Sequence, residues 1–220
     1  MKITHILAAI MLLVCVACQS KTDKSPVAQA TEKATNKKNI LFFGNSLTAA
    51  YGLDDVSQGF VGLTQQRIDS LGLPYRCINS GLSGETTAGG ASRVEWVIEQ
   101  QPVEVFVLEL GGNDALRGLK PDETAKNLTA IVAKVRAKYP SVKIILSGME
   151  APRNMGNTYI KAFHDVYPTL AKAENLPLIP FILEGVGGIA ELNQKDGIHP
   201  TAAGNRIVLE TIWRTLKPIL

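Results

Sequence analysis

Five short apolar runs, separated by longer segments with helical periodicity, constrain the fold of this chain more than any other feature. The runs are Ile40–Phe43, Tyr75–Ile78, Val103–Leu110, Val142–Leu146 and Leu178–Leu183. Because they are apolar along their length rather than alternating, we expect strands of a parallel sheet that is buried on both faces. Strands that alternate with helices predict a three-layer α/β/α fold. For five strands we predict the flavodoxin-like order 2-1-3-4-5.

The segment between the third and fourth runs has the pattern of an amphipathic helix. Its apolar residues recur at i, i+3, i+4 and i+7, namely Leu128, Ile131, Val132 and Val135. Acidic residues precede these positions and basic residues follow them, as the helix dipole favours. The same spacing recurs near the C-terminus at Leu209, Ile212, Trp213 and Leu216.

The N-terminus predicts export from the cytoplasm. An apolar run from Ile6 to Ala17 follows a basic residue and is too short to cross a bilayer of about 30 Å as a helix. Residues 1–18 are therefore predicted to be a signal peptide. Cys18 follows Val-Ala, which resembles the lipoprotein box of bacterial envelopes, although Cys15 stands where that box usually has leucine. We expect lipidation of Cys18, with plain secretion and cleavage nearby as the alternative.

The chain divides into a tether and one domain. Residues 19–38 are polar, with too little apolar content to fold, so we expect a flexible tether ahead of a domain at residues 39–220. The net charge of +3 comes from the leader and the tether. The domain therefore offers no basic face for nucleic acid. We expect a monomer in the bacterial periplasm or at the outer membrane, touching the membrane only through a lipid anchor. Cys77, in an apolar run, is expected to be a buried free thiol.

Polar residues that suit nucleophilic catalysis follow the predicted strands. Ser46 follows the first strand, and Asp196 and His199 follow the fifth. Since the carboxyl ends of parallel strands share one edge, the serine could meet a base there, and Asp196 could orient the imidazole. The alternatives are a serine that caps the next helix and an ordinary turn at Asp196–Pro200. His5 lies in the leader, and His164 is expected on a solvated helix face.

Acyl transfer also needs donors for an oxyanion. Gly84 after the second strand could present a backbone N–H, Asn113 after the third strand a side-chain amide, and Ser46 its own backbone N–H. The alternative is that the glycine and asparagine serve tight turns. Ser83 has no base of its own in the sequence and is not the expected nucleophile.

Four ordered blocks resemble those of the SGNH (GDSL-type) hydrolases. They are Gly44-Asn45-Ser46-Leu47, the segment around Gly84, Gly112-Asn113-Asp114 and Asp196-Gly197-Ile198-His199-Pro200. The resemblance runs from about Ile40 to Leu216. It is strongest to the bacterial acyl-CoA thioesterase I, arylesterase and lysophospholipase group, and includes Leu108–Gly118 and Gly148–Phe163.

The resemblance implies a catalytic triad of Ser46, Asp196 and His199, and an oxyanion hole formed by Ser46, Gly84 and Asn113. It also implies a fold without metal or cofactor. One position departs from the pattern, because the family's usual aspartate before the serine is Asn45 here. We expect activity to survive this change and the loop geometry and pH profile to respond to it.

The substrate is expected to be a small-molecule ester. Leu116 and Ile189, the latter in the loop at Gly185–Ala190, could form an apolar lip for an acyl chain, although that loop could equally be a flexible connection. Short- to medium-chain esters are the first expectation, followed by thioesters and lysophospholipids. The alternatives are a carbohydrate acetylesterase and a non-catalytic flavodoxin-like module that binds phosphate or flavin.

Overall fold

A computed structural model describes residues 37–220 of the chain. The predicted signal peptide, Cys18 and residues 19–36 of the predicted tether lie outside this part. Five strands follow one another as β1 (Lys38–Gly44), β2 (Tyr75–Gly81), β3 (Val105–Glu109), β4 (Lys143–Ser147) and β5 (Leu178–Ile179). The α-helices of the described residues are α1 (Phe60–Ser70), α2 (Thr87–Glu99), α3 (Gly112–Leu116), α4 (Pro121–Lys138), α5 (Asn157–Glu174) and α6 (Ala202–Leu216). Short 3-10 helices lie at Val56–Gln58, Arg153–Met155, Ala190–Leu192 and Lys217–Ile219.

The strands form one parallel sheet in the order β2-β1-β3-β4-β5, which confirms the predicted order. β1 lies between β2 and β3. Its last residue, Gly44, stands opposite Gly81 of β2 and Glu109 of β3. The turn that follows β1 therefore emerges between the ends of two neighbouring strands, where a parallel sheet gathers its ligand-binding loops.

Both faces of the sheet are covered by helices, which confirms the three-layer α/β/α architecture. Residues 40–43 of β1 and residues 105–108 of β3 are each at most 1% exposed, so neither strand has a solvated side. α1 packs against α6, while α2 packs against α4 and α4 against α5. Unbroken apolar strands are what this double burial requires.

The amphipathic helix predicted between the third and fourth runs is α4. It begins with Pro121 in its first turn, where a missing N–H costs nothing, and carries two acidic residues there and two basic residues in its last turn. The four positions predicted for its apolar face are all buried. On α6, Leu209, Ile212 and Leu216 are buried and Trp213 is half-buried under the guanidinium of Arg67.

The fifth strand is much shorter than predicted. The apolar run predicted a strand over Leu178–Leu183, but β5 ends at Ile179, whose carbonyl oxygen accepts Gly148 N at 2.7 Å. The chain then turns, and Ile182 N donates to Gly148 O at 3.1 Å. The first strand also differs slightly from the prediction, because β1 begins at Lys38, one residue before the predicted start of the domain.

Cys77 is a free thiol within the described part of the chain, and it is half-buried on β2. Burial raises its pKa to about 12, so it remains protonated and unreactive at neutral pH. No helix within residues 37–220 has the length and apolar character needed to cross a membrane.

Candidate active site

Ser46 lies in a tight turn directly after β1. No helix begins at this serine, so the helix-cap interpretation does not describe it; the backbone forms successive turns from Asn45 to Gly52. Its hydroxyl instead faces a loop that approaches from the far end of the chain. Ser46 Oγ lies 2.8 Å from His199 Nε2 across 153 residues of sequence.

Asp196 holds the other side of the same imidazole. His199 Nδ1 lies 2.6 Å from Asp196 Oδ2, while Oδ1 accepts the backbone N–H groups of Ile198 at 2.9 Å and His199 at 3.0 Å. Partial burial raises the pKa of Asp196, but the hydrogen bonds from His199 and Ile198 outweigh it and lower the pKa to about 2. An ionised Asp196 requires a proton on Nδ1, which leaves Nε2 free to accept the serine proton.

The ring of Tyr51 lies against His199, with 4.8 Å between the ring centroids. Tyr51 follows the serine turn, so the turn supplies both the hydroxyl and an aromatic wall for the imidazole. The Asp196–Pro200 segment is also tied back to that turn, because Gln194 Nε2 donates to Tyr51 O at 2.8 Å. The two predicted halves of the site are therefore joined by contacts besides the Ser46–His199 pair.

The predicted oxyanion donors line the same cleft as Ser46. Asn113 opens α3, and its Nδ2 donates one hydrogen to Glu85 O at 3.0 Å, which leaves the second hydrogen of the amide available. Within residues 37–220, the backbone N–H groups of Ser46 and Gly84 have no protein acceptor. Gly84 has φ +80°, a left-handed conformation that favours glycine. Three residues that each have an unused N–H thus line the cleft that contains the serine.

The chain from residue 42 to residue 207 matches the model of the GDSL-like Lipase/Acylhydrolase family. The chain belongs to this family. The predicted resemblance is thereby confirmed, and the family assignment covers the turn at Ser46, the Gly84 segment, Asn113 and the Asp196–His199 loop.

Characterised relatives cover most of this chain. Esterase TesA of Pseudomonas aeruginosa is 44% identical over 183 residues, which are 83% of this chain and 90% of that protein. Thioesterase 1/protease 1/lysophospholipase L1 of Escherichia coli K12 is 31% identical over 190 residues, which are 86% of this chain and 88% of that protein. The crystal structure of TesA superposes with a TM-score of 0.79 at 44% identity, covering 83% of this chain and 100% of that one.

The cleft of this GDSL-family domain has a volume of about 1390 Å³ and a largely apolar wall. Both predicted lip residues line it, and Leu116 is 50% exposed and Ile189 42% exposed. Sequence reasoning missed the deeper apolar residues, which are Met149, Ile160, Phe181 and Leu183. Three of them follow the ends of β4 and β5, so the carboxyl-edge rule that located the polar residues could have found them.

A buried carboxylate beneath the serine turn was also missed. Glu109, the last residue of β3, is 1% exposed and accepts hydrogen bonds from Asn45 and Thr48. The signal was an acidic residue at the carboxyl end of the apolar run Val103–Leu110, directly after the uninterrupted apolar stretch 105–108. Such a residue in a central strand needs a partner in the interior.

The remaining candidates lie apart from the Ser46–His199 pair. Ser83 lines the cleft, but neither histidine of the described residues contacts it. His164 is exposed on α5, as predicted, and its Nδ1 lies 2.7 Å from Glu150 Oε1. Among residues 37–220 no group of three or more His, Cys, Asp or Glu side chains is placed to hold a metal ion.

Proposed function

We propose that this protein is a serine ester hydrolase in which Ser46 is the nucleophile, His199 the general acid and base, and Asp196 the residue that orients the imidazole. The observation that carries the proposal is the unbroken chain of contacts from Ser46 Oγ through His199 to Asp196 Oδ2, at 2.8 Å and 2.6 Å. Ser46 lines a cleft that also contains unused N–H donors. Acyl transfer needs this combination of a nucleophile, a base and donors for the oxyanion.

The reaction proceeds in two steps. His199 Nε2 takes the proton of Ser46 as Oγ bonds to the carbonyl carbon of the ester, and the carbonyl oxygen becomes an oxyanion. The N–H groups of Ser46, Gly84 and Asn113 stabilise that oxyanion. When it collapses, the bond to the leaving group breaks and His199 protonates the departing oxygen or sulfur. Water then attacks the acyl-enzyme and gives a proton to His199; the bond between the acyl carbon and Ser46 Oγ breaks, and His199 returns the proton to Oγ, which releases the acid and restores Ser46.

Short- to medium-chain carboxylic esters are the proposed substrates, with thioesters and lysophospholipids next. The apolar wall around Met149, Phe181 and Leu183 and the lip at Leu116 and Ile189 suit an acyl chain better than a sugar, which would need polar partners. The names of the esterase and thioesterase relatives agree with this substrate class.

Hydrolysis of p-nitrophenyl esters from acetate to palmitate by the purified full-length chain, with Ser46→Ala as the matched control, tests this function. We expect a rate that depends on Ser46 and is highest at short to medium chains. A rate confined to acetate would favour sugar deacetylation instead. A rate that persists in Ser46→Ala would refute the nucleophile, and no rate on any ester would favour a binding module.

We also propose that the protein is exported as a monomer to the bacterial periplasm or the outer membrane, with Cys18 as its lipid anchor. The short apolar leader and the small residue before Cys18 support this location. Metabolic labelling with a fatty acid should mark the wild-type chain and not Cys18→Ala. Light scattering of the detergent-solubilised protein should give the mass of one chain.

A further inference from the structure

Glu109 lies directly below the turn that carries Ser46. Its Oε1 accepts Asn45 Nδ2 at 2.9 Å, and its Oε2 accepts the backbone N–H of Asn45 at 3.2 Å and the hydroxyl of Thr48 at 2.8 Å. Every one of these partners is a neutral donor. Within residues 37–220 no lysine, arginine or histidine forms an ion pair with it. The carboxylate is thus stabilised by the serine turn alone, and any change in its charge acts on that turn.

Glu109 also decides which way the Asn45 amide points. A carboxylate can only accept, so the NH₂ end of the amide must face Glu109. The Oδ1 end then faces the nucleophile turn, where it accepts Leu47 N at 3.0 Å and lies 3.4 Å from Ser46 Oγ. The side chain of Asn45 therefore connects the buried carboxylate to the backbone on either side of the serine.

The fit around this carboxylate leaves no room for adjustment. A Cβ at Gly44 would collide with the Thr48 hydroxyl and with both the side chain and the carbonyl oxygen of Glu109. The backbone at Gly44, two residues before the serine, is consequently in close contact with the Glu109 carboxylate. A shift of Glu109 would be transmitted to Ser46 Oγ through two residues of tightly packed chain.

We propose that Glu109 is a positioning residue for the acyl-transfer reaction, a buried anion that orients the Asn45 amide and holds Ser46 in line with His199. This inference rests on the proposed function. It also gives a role to Asn45, which stands where the family usually has an aspartate. An aspartate there would put two carboxylates in contact, and these would have to share a proton, whereas Asn45 supplies an N–H that stabilises the ionised form of Glu109.

The charge on Glu109 responds to pH in the neutral range. Burial raises its pKa to about 7, against the hydrogen bonds from Thr48 and Asn45, which lower it. A titratable group on a neighbouring element is Tyr167 of α5, which lies close enough to be affected by the charge of Glu109. Tyr167 donates to Leu110 O, and burial together with the nearby acidic charges raises its pKa well above the usual value, so it stays neutral.

An exchange of the two side-chain types tests the proposal. The amide of Glu109→Gln has one acceptor oxygen where the carboxylate has two. If that oxygen keeps Asn45 Nδ2, the new NH₂ opposes the backbone N–H of Asn45; if the amide is reversed, its NH₂ opposes Asn45 Nδ2, or Asn45 turns over and opposes Leu47 N. The double variant Asn45→Asp/Glu109→Gln restores the pairing with reversed polarity, because the new amide oxygen can accept the backbone N–H of residue 45 and the hydroxyl of Thr48. Glu104→Gln is the matched control, an acid at the start of the same segment whose carboxylate pairs with Lys38 near the surface.

The readouts are kcat, KM and the rate at which a fluorophosphonate labels Ser46 in the full-length chain. We expect Glu109→Gln to lose about 10- to 100-fold in kcat and in labelling rate with KM little changed, since a misplaced nucleophile affects the reacting geometry rather than binding. The double variant should recover to within about threefold of wild type, and Glu104→Gln should match wild type. An unchanged kcat in Glu109→Gln, or a folded double variant no faster than the single one, would overturn the proposal.

A second variant covers the case in which Glu109→Gln does not fold. Thr48→Val keeps the side-chain shape and removes the hydroxyl that donates to the Glu109 carboxylate. The ionised form of Glu109 then loses a stabilising contact, so the fall of kcat on the acidic side of its pH profile should move to higher pH by about half a unit or more. Thr48→Val leaves the contacts of His199 unchanged. An acidic side of the kcat profile that stays at the same pH would therefore contradict the role of Glu109. Wild-type protein that hydrolyses no ester would refute the proposed function instead, and labelling of Ser46 would still report on the positioning.

Discussion

The guanidinium group of Arg117 donates a 2.9 Å hydrogen bond to the carbonyl oxygen of Gly84. Two further contacts join the same segments, from Asn113 Nδ2 to Glu85 O and from Thr87 N to Asp114 Oδ2 at 2.9 Å. The loop that carries the Gly84 N–H is therefore fixed to α3 and the residue that follows it. Pre-aligned donors of this kind are effective because they need no reorganisation during the reaction.

Removing the contact from Arg117 should slow acylation without abolishing it. We expect Arg117→Met to lower kcat about tenfold with a smaller effect on KM, because the Gly84 N–H becomes less well aligned but is not lost. Steady-state kinetics on a short-chain ester measures the effect. Arg214→Met is the control, since Arg214 pairs with Glu184 on the surface and does not line the cleft. Equal losses in the two variants would mean that the effect is not specific to the oxyanion loop.

Asn113 should matter more than Arg117, because it is itself an expected donor. Asn113→Ala removes the amide hydrogen available to the oxyanion, and we expect kcat to fall by about 10²- to 10³-fold. The variant also loses the anchor to Glu85 O, so thermal unfolding must be measured alongside the kinetics. A folded variant with wild-type kcat would exclude Asn113 from the oxyanion hole.

Replacing Asp196 with asparagine should preserve the fold and move the imidazole proton of His199 from Nδ1 to Nε2. The amide can donate to His199 Nδ1, which favours the tautomer with its proton on Nε2, so the base no longer faces Ser46. We expect kcat to fall by about three to four orders of magnitude. Circular dichroism checks the fold, and Ser46→Ala sets the background rate. A loss of less than tenfold would show that Asp196 does not control the tautomer.

Restoring an aspartate at position 45 should give a variant whose activity falls at alkaline pH. In Asn45→Asp the new carboxylate and Glu109 face each other and share one proton, which keeps a donor between them. We expect kcat at neutral pH within about threefold of wild type and a loss on the alkaline side as the shared proton leaves. The pH profile of kcat measures this, and wild type, which lacks the pair, is the control. Coincident profiles would argue against contact between positions 45 and 109.

Much of this architecture follows from the sequence because its causes are local. The unbroken apolar runs set a parallel sheet and its order, and Pro121 with the charges near it set the bounds of α4. The meeting of Ser46 and His199 could also be predicted, because both residues follow strands whose carboxyl ends share one edge of the sheet. β5 is an exception, because the apolar run predicted a strand as far as Leu183 and the chain turns away after Ile179.

The contacts beneath and around the site could not be predicted in this way. Glu109 approaches Asn45 because β1 and β3 are neighbours in register, and Arg117 meets Gly84 across 33 residues of sequence. The acidic residue at the end of an apolar run indicates that Glu109 needs a buried partner, but nothing in the sequence identifies Asn45 as that partner or pairs Arg117 with Gly84. Polar contacts of this type depend on tertiary packing to within fractions of an ångström, whereas periodicity gives only faces and edges.

The buried charge of Glu109 should cost stability at the pH where the enzyme is expected to act. Its folded-state pKa of about 7 lies above the ordinary value of 4.5, so the folded state binds this proton more tightly. The resulting stabilisation is complete below about pH 4.5 and is lost as pH rises to about 7, at roughly 1.4 kcal/mol for each pH unit between the two pKa values. Glu109→Gln removes this titration.

Urea unfolding of wild type and Glu109→Gln at pH 5 and pH 7.5 isolates the contribution of this group, since all other groups titrate alike in both. We expect the stability of wild type relative to the variant to fall by about 1–3 kcal/mol between the two pH values. Glu104→Gln keeps Glu109, so its stability should fall between the two pH values as that of wild type does. A difference between wild type and Glu109→Gln that is constant with pH would mean that Glu109 titrates outside this window.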